Sequence, residues 1–305
     1  MTLETRDPGF AALFPDGAAL ERLETGFGFT EGPIWHPGEG WLVFSDIAKS
    51  VQWRWTGSEG LSVFRRPSNQ ANGNCFDLEG RVVSCEHAGS RVVRHDHDGK
   101  LVRALATHFD GAELNSPNDV ICDTCGRIWF SDPSFGRIRP DLGIVRDEDQ
   151  DARGVYRIEL DGTLSRVIDD IEQPNGLCLS VDETRLFVND TPRNHVRVWD
   201  VEGDTLSGGA VWAEVAGEGE GVVDGMKVTA GGQLLVNGPG GVHVWSGAGG
   251  GAARSLGVIR TPEKSTNFCF GGPGLSDLFI TASTSIYRIA TTMEGLPMIH
   301  ERKAP

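Results

Sequence analysis

The sequence predicts an all-β protein, a β-propeller of six blades with four antiparallel strands in each blade. Three observations support this prediction. The 41 glycines and 15 prolines are scattered along 305 residues, which is typical of a chain with many tight turns. Short β-branched and aromatic stretches lie between these turns, without the 3.6-residue periodicity of helices. A polar residue followed by two short strands also recurs at intervals of 43 to 57 residues, close to the period of a four-stranded blade.

The recurring unit is clearest at Ser116-Pro117-Asn118-Asp119-Val120. This polar tip leads into a strand, a tight turn and a second strand that ends at Asp132. Similar units begin at other polar residues, and a side chain that can bind through oxygen heads each copy. The six head residues are Glu31, Asn74, Asn118, Asn175, Asp224 and Asn267.

Four strands can be placed in each of the first five units. In the first unit they are Gly32–His36, Trp41–Asp46, Val51–Thr56 and Leu61–Arg65. Asp-Gly and Glu-Gly pairs such as Asp161-Gly162 predict hairpin turns between strands. The sixth unit provides only three strands, so the last blade lacks its outer strand.

The segment Ala18–Glu24 alternates in polarity and precedes the first blade. We expect it to pair with the last blade as its fourth strand, which closes the ring and leaves neither edge exposed. The expected organisation is one domain over residues 1–305, with an N-terminal arm and closing strand in residues 1–30. Residues 135–153 form a charged insertion in the third blade, and we expect a functional loop there.

Charge and composition limit the classes of function. The net charge of 28 − 43 = −15 argues against nucleic acid or an anionic membrane as a partner. No apolar run approaches the roughly 20 residues of a membrane span, and no secretory signal is visible. The six cysteines have no framework spacing, which favours buried, reduced thiols. We therefore expect a cytoplasmic protein.

The head residues predict a metal site. First strands of propeller blades line the central channel, so Glu31, Asn118, Asn175 and Asp224 are expected to converge on the axis. Two carboxylates and two amide carbonyls are hard oxygen donors, a set that suits Ca²⁺ or Mg²⁺ and is poor at selecting zinc. The sequence thus predicts one divalent cation, Ca²⁺ in the first place, with Mg²⁺, Mn²⁺ or Zn²⁺ as alternatives.

Four motifs in order resemble those of the family that contains regucalcin, gluconolactonase and luciferin-regenerating enzyme. They are Glu31-Gly32-Pro33, Ser116-Pro117-Asn118-Asp119, Pro174-Asn175-Gly176-Leu177 and Asp224-Gly225-Met226. The likeness extends from about Ala18 to Ile289, and Cys85-Glu86-His87 is similar to the bacterial gluconolactonase branch. This resemblance implies a six-bladed propeller that binds one catalytic divalent cation at the four head positions and hydrolyses sugar lactones.

The expected reaction is hydrolysis of an aldonolactone, D-glucono-1,5-lactone first. Asp224 is the expected general base, and hydroxide held by the cation is the alternative. Animal regucalcins carry a substrate-contacting arginine where this chain has Ser116, so substrate contacts are assigned instead to Asn74, His87 and the 135–153 loop. Two other functions remain open: hydrolysis of phosphotriesters at the same metal site, and a non-catalytic calcium-binding propeller.

Overall fold

The computed structural model describes residues 2–302, and its six main sheets form a ring. Blade 1 consists of Thr30–His36, Trp41–Asp46, Val51–Thr56 and Gly60–Arg65. Blade 2 consists of Ala71–Phe76, Val82–Glu86, Arg91–His95 and Leu101–Ala106. Blade 3 consists of Val120–Cys122, Ile128–Asp132, Gly154–Ile158 and Leu164–Ile168.

The other three blades have the same antiparallel order. Blade 4 consists of Pro174–Leu179, Arg185–Asp190, His195–Glu202 and Thr205–Glu214. Blade 5 consists of Met226–Val228, Leu234–Gly238, Gly241–Ser246 and Arg254–Arg260, with Leu3–Thr5 added as a fifth, outermost strand. Blade 6 consists of Ser265–Gly271, Asp277–Ala282, Ser285–Ala290 and the N-terminal strand Glu21–Thr25. The predicted six-bladed propeller is therefore confirmed.

The ring closes through the N-terminal strand. Glu21–Thr25 pairs antiparallel with Ser285–Ala290 and supplies the missing outer strand of blade 6. The first strands of successive blades contact one another, and blade 6 meets blade 1 in the same way. This arrangement leaves the last blade with a complete set of strands, as the alternation in Ala18–Glu24 predicts.

Apolar side chains fill the space between blades. The buried apolar residues fall into six clusters, one at each of the six blade interfaces. All eight tryptophans belong to these clusters, as predicted. Second strands such as Trp41–Asp46 are buried along their whole length, because both of their faces are covered by neighbouring blades.

Short helices and one hairpin connect the strands. A small hairpin, His108–Phe109 with Ala112–Glu113, lies between blades 2 and 3. The only α-helix in residues 2–302 is Phe135–Ile138, within the insertion of blade 3. The 3₁₀ turns are Pro8–Leu13, Thr191–Arg193, Pro273–Leu275 and Ile299–Glu301. No helix in this part of the chain is long and apolar enough to cross a membrane.

The cysteines differ in part from the expectation. All six are free thiols, and Cys85, Cys122, Cys178 and Cys269 are buried. Cys125 is exposed because it lies at the turn between the first two strands of blade 3. The expected domain spans residues 1–305, of which Met1 and residues 303–305 lie outside the described part.

Removal of residues 1–25 is expected to lower the melting temperature by about 10 °C or more, because several kcal/mol of packing are lost. Blade 6 loses its outer strand, and the interface of blades 5 and 6 loses Phe10, which is fully buried. Differential scanning calorimetry of the truncated and full-length proteins measures the effect. A Phe10→Ala variant keeps both N-terminal strands, so the difference between the two variants measures what Leu3–Thr5 and Glu21–Thr25 contribute together. Equal melting of truncated and full-length protein would show that ring closure does not depend on this segment.

Candidate metal centre

Strand register places six side chains in one row around the channel, here called the inner row. In blade 1, Thr30 pairs with Asp46, the last residue of the second strand, and the inner-row residue is the next one along the chain, Glu31. The equivalent pairing identifies the inner-row residue in blades 2, 4 and 6. Backbone hydrogen bonds from Asn118 to Ser131 and from Asp224 to Asn237 give the equivalent positions in blades 3 and 5. The inner row is Glu31, Asn72, Asn118, Asn175, Asp224 and Thr266.

Two of the predicted head residues lie off this row. Asn74 is two residues beyond Asn72, and Asn267 is one residue beyond Thr266. Asn72-Gly73-Asn74 and Thr266-Asn267 each contain two polar candidates, and pairing with the second strand places the first of the two on the row. The other four predicted heads do lie on the inner row, so the structure brings Glu31, Asn118, Asn175 and Asp224 together at one level.

Close approach of neighbouring first strands requires glycine next to the inner row. A Cβ on Gly176 would overlap the carbonyl oxygen of Asp224, and one on Gly225 would overlap the side chain of Asn267. Four blades have glycine at this position. Blade 3 has Asp119 there instead, so a carboxylate occupies the channel directly beside the inner row.

Glu31 and Asp224 are buried carboxylates that face each other across the channel. Burial raises the pKa of Glu31 well above its usual value, and the negative charges of Asp224 and Asp119 raise it further. Burial also raises the pKa of Asp224 to about 7, although the nearby Lys264 ammonium acts in the opposite direction. Glu31 Oε2 accepts hydrogen bonds from Gly32 N at 2.7 Å and from Asn267 Nδ2 at 3.0 Å. Both carboxylates therefore gain from a positive charge placed between them.

Asn118 and Asn175 each have a side-chain oxygen that accepts no hydrogen bond from another described residue. Asn175 Nδ2 donates to Thr191 Oγ1 at 3.1 Å, and Thr191 Oγ1 donates to the Val223 carbonyl at 3.1 Å. This chain fixes the amide nitrogen, and Asn175 Oδ1 accepts no hydrogen bond from residues 2–302. Asn118 is only 4% exposed, yet its side chain makes no hydrogen bond to any described residue. Both amide oxygens are therefore available to bind a cation or water.

These side chains fit a hard divalent cation. Within residues 2–302, no three acidic, histidine or cysteine side chains lie close enough to hold a metal by themselves. Two carboxylates would therefore need the Asn118 and Asn175 carbonyls to complete the coordination. Carboxylate and amide oxygens are the ligands that Ca²⁺ and Mg²⁺ prefer.

Asp119, Lys227 and Asn267 form a floor beneath this site, and the sequence did not assign them a role. Asp119 is 2% exposed, and its Oδ2 accepts no hydrogen bond within the described chain. Lys227 Nζ lies 3.9 Å from Asp119 Oδ2 and 3.4 Å from Asn267 Oδ1. Burial raises the pKa of Asp119, and Lys227 partly offsets that effect. The signal in the sequence was Asp119 itself, which follows Asn118 where glycine follows Glu31, Asn175 and Asp224.

The opposite end of the channel is apolar. A cavity of about 220 Å³ lies below the floor and is lined mainly by apolar side chains and by the thiols of Cys75, Cys178 and Cys269. Residues 295–299 cover its lower side. Polar chemistry is thus confined to the upper end of the channel, where the inner row begins.

Asn74 does not face a substrate. Its Nδ2 donates to the Gly32 carbonyl at 2.7 Å, and its Oδ1 accepts hydrogen bonds from Gln52 at 2.7 Å and Ser84 at 2.6 Å. The side chain is buried and joins blade 1 to blade 2. The prediction of a substrate contact at Asn74 is therefore not supported, because these bonds within and between blades use its donors and acceptors.

His87 is fully buried beneath the insertion. Its Nδ1 lies 3.0 Å from the Leu142 carbonyl, and its Nε2 lies 3.2 Å from Asn72 Nδ2. Nδ1 therefore donates and Nε2 accepts, which describes a neutral ring. Burial lowers the pKa of His87 to about 4. His87 orients the inner-row amide of Asn72 through this hydrogen bond, and its predicted contact with a substrate stays a prediction.

The insertion crosses the upper face from blade 3 toward blade 1. Gly136 packs so closely on His87 and Ser116 that a Cβ would lie 2.7 to 2.8 Å from their side chains. The Arg139 guanidinium lies 6.0 Å from the ring centroid of Phe29 in blade 1. The 135–153 loop therefore covers blades 2 and 3 and leaves the channel open toward the other blades.

Comparison with known proteins agrees with this geometry. A family model described as SMP-30/Gluconolactonase/LRE-like region matches residues 29–284. This chain belongs to that family. A gluconolactonase from Zymomonas mobilis subsp. mobilis is 27% identical over 311 positions, covering 94% of this chain and 85% of the relative. The pentonolactonase XacC from Haloferax volcanii is 26% identical, with 86% and 84% covered.

A solved structure supports the same membership in the SMP-30/gluconolactonase family. The gluconolactonase XC5397 from Xanthomonas campestris superposes with a TM-score of 0.88 at 31% sequence identity, with 95% of each chain covered. The resemblance read from the four motifs is therefore confirmed, together with the six-bladed fold that it implied.

The metal-free protein is expected to lose stability as pH rises from about 4 to about 7. Asp224 ionises near 3.8 in the unfolded chain but near 7 in the folded protein, so the folded state binds more protons in this window. The loss attributable to this group is on the order of 4 kcal/mol. Urea unfolding of wild-type and Asp224→Asn proteins, measured in chelator at several pH values, tests this difference.

The Asp224→Asn variant should show a smaller decline across this pH window, because asparagine does not titrate. Glu59→Gln, an exposed substitution that also removes one negative charge, is the control and should follow the wild type. Parallel curves for wild type and Asp224→Asn would contradict the assigned burial of this carboxylate.

Proposed function

We propose that this protein hydrolyses a sugar lactone to the corresponding aldonic acid, with D-glucono-1,5-lactone as the first candidate. The observation that carries the proposal is the convergence of Glu31, Asp224, Asn118 and Asn175 at one level of the channel in a member of the SMP-30/gluconolactonase family. The relatives include a gluconolactonase and a pentonolactonase, which supports a lactone hydrolase that acts on sugar lactones.

The four inner-row residues would hold one divalent cation, with Ca²⁺ favoured by the all-oxygen donor set. When bound, this cation would polarise the lactone carbonyl and stabilise negative charge on its oxygen. Glu31 is held for this role by Gly32 and Asn267, and Asn175 is held by Thr191. The protein thus fixes the ligand side chains before the substrate arrives.

Asp224 is the proposed general base. Its carboxylate is buried at the upper end of the channel, next to the position where a lactone carbonyl would be bound. Burial raises its pKa to about 7, even though the Lys264 ammonium acts to lower it. A positive charge bound at the inner row would lower it further, so Asp224 is ionised at neutral pH and can take a proton from the attacking water.

The insertion restricts access to this chemistry. Loop 135–153 covers His87 and Ser116 and leaves both without solvent contact. Substrate would therefore enter over blades 4 to 6 and the edge of blade 1. A covered site also strengthens electrostatic interactions at the reacting carbonyl, because fewer waters screen them.

Hydrolysis of D-glucono-1,5-lactone is expected to be abolished by chelator and restored by Ca²⁺. Acid release is followed in a weakly buffered solution with a pH indicator, and the rate in buffer alone is subtracted because this lactone opens spontaneously. Ca²⁺, Mg²⁺, Mn²⁺ and Zn²⁺ are added back singly to the chelated protein. No rate above the blank with any ion, on this lactone or on pentonolactones, would overturn the proposed function.

Asp224→Asn is expected to lower kcat by about 10²- to 10⁴-fold, the usual contribution of a positioned base. Asparagine keeps an oxygen for the cation, so the fold and most of the metal site should persist, as circular dichroism can show. Steady-state kinetics with saturating Ca²⁺ provide the measurement, and Glu59→Gln should retain full activity. A variant with wild-type kcat would transfer the role of base to another group.

A further inference from the structure

A second ring of side chains lies at the mouth of the channel. Each of its members precedes the inner row by two residues and lies just before the first strand of its blade. This mouth row consists of Phe29, Gln70, Ser116, Gln173, Val222 and Lys264. Four of them are partly exposed and can be reached by a substrate from above the inner row: Phe29, Gln70, Val222 and Lys264.

Several mouth-row residues are already engaged by the protein. Ser116 Oγ donates to the Pro133 carbonyl at 2.6 Å and accepts from Gly136 N at 3.0 Å. Gln173 exchanges two hydrogen bonds with Ser134, at 2.9 and 3.0 Å. Blades 3 and 4 therefore offer no free polar side chain at the mouth.

Lys264 is the one charged member of the mouth row. It is half-buried, and its Nζ lies 5.9 Å from the ring centroid of Phe29. Its ammonium is near enough to Asp224 to lower the pKa of that carboxyl. No carboxylate of residues 2–302 forms an ion pair with Lys264, whereas Arg139, on the same aromatic ring, is neutralised by Asp141 at 2.5 Å.

With a dication bound, the positive charges around the site would outnumber the negative charges by one. Three buried carboxylates, those of Glu31, Asp119 and Asp224, contribute three negative charges. A dication and Lys227 together offset them. The charge of Lys264 is then left without a partner inside a partly desolvated mouth, where an anion is bound more strongly than in water.

We infer that Lys264 recognises an anionic group on the substrate, so that the preferred lactones are those of sugar diacids, which carry a second carboxylate. The inference rests on the proposed lactonase function and deepens it. A charge-assisted hydrogen bond from the Lys264 ammonium to that carboxylate neutralises the mouth, while the lactone carbonyl lies at the inner row below. A neutral sugar lactone offers only hydroxyl groups to the same ammonium and forms the weaker contact.

The test compares two lactones that differ in one group. D-glucaro-1,4-lactone and D-glucono-1,4-lactone share the ring and differ at carbon 6, which is a carboxylate in the first and a hydroxymethyl in the second. The ratio of their kcat/KM values is measured for wild type, for Lys264→Gln and for Lys100→Gln. Lys100 is an exposed lysine on the outer part of blade 2, so its substitution is a matched control for the lost charge.

The expected result is that wild type prefers the glucarolactone and that Lys264→Gln lowers the ratio by about tenfold to hundredfold. Lys100→Gln should leave the ratio unchanged. An equal effect of Lys264→Gln on both substrates, or no effect on either, would overturn the inference while the lactonase function stands.

A binding measurement separates failure of this inference from failure of the lactonase function. If wild type hydrolyses no lactone, isothermal titration of the Ca²⁺-loaded protein with D-glucarate and with D-gluconate decides the matter. Tighter binding of D-glucarate by at least about tenfold, lost in Lys264→Gln, would support the anion subsite without activity. Equal binding of the two acids would overturn it.

Discussion

The confinement of negative charge at the channel axis is the constraint on which the rest of the structure depends. Glu31, Asp119 and Asp224 are each less than a tenth exposed, and isolated buried carboxylates are costly. Such a cluster persists only in a scaffold that is stabilised elsewhere. Six apolar clusters, one at each blade interface, provide that stability around the ring. The buried carboxylates therefore lower stability locally, and packing around the closed ring compensates for this. Closure of the ring by the N-terminal strand matters to the site as well as to the fold.

The inner row exists because the first strands can approach one another closely. Glycine beside the row lets the backbone of one blade contact the next, as at Gly176 and Gly225. Blade 3 departs from this rule at Asp119, whose carboxylate takes the space that a hydrogen atom occupies in the four blades with glycine. Lys227 then supplies a positive charge below it. Asp119 thus places a charged group at a position that serves only for packing in the blades with glycine. Together with Lys227, it separates the polar end of the channel from the apolar cavity.

Prediction from sequence was accurate where the signal is local. Strands bounded by turns were predicted with the observed limits, as at Trp41–Asp46 and Val51–Thr56. The heads Asn74 and Asn267 were wrong because a polar residue, Asn72 or Thr266, also precedes each of them, and only pairing with the second strand decides between the two candidates. The role of Asn74 could not be read at all, since it depends on Gly32 and Gln52 of another blade.

The insertion of blade 3 explains why the proposed recognition of substrate involves blade 6, on the other side of the channel mouth. Its first turn packs on Ser116 and His87, and the Leu142 carbonyl accepts a hydrogen bond from the His87 ring. Ser116 and His87 of blades 3 and 2 therefore contact the loop and are not exposed to a substrate. Blades 5 and 6 carry no comparable cover, and Lys264 is left half-exposed above Asp224. A loop that closes one side of a channel thus determines which residues on the other side remain available for substrate, and in this chain the available charge is positive.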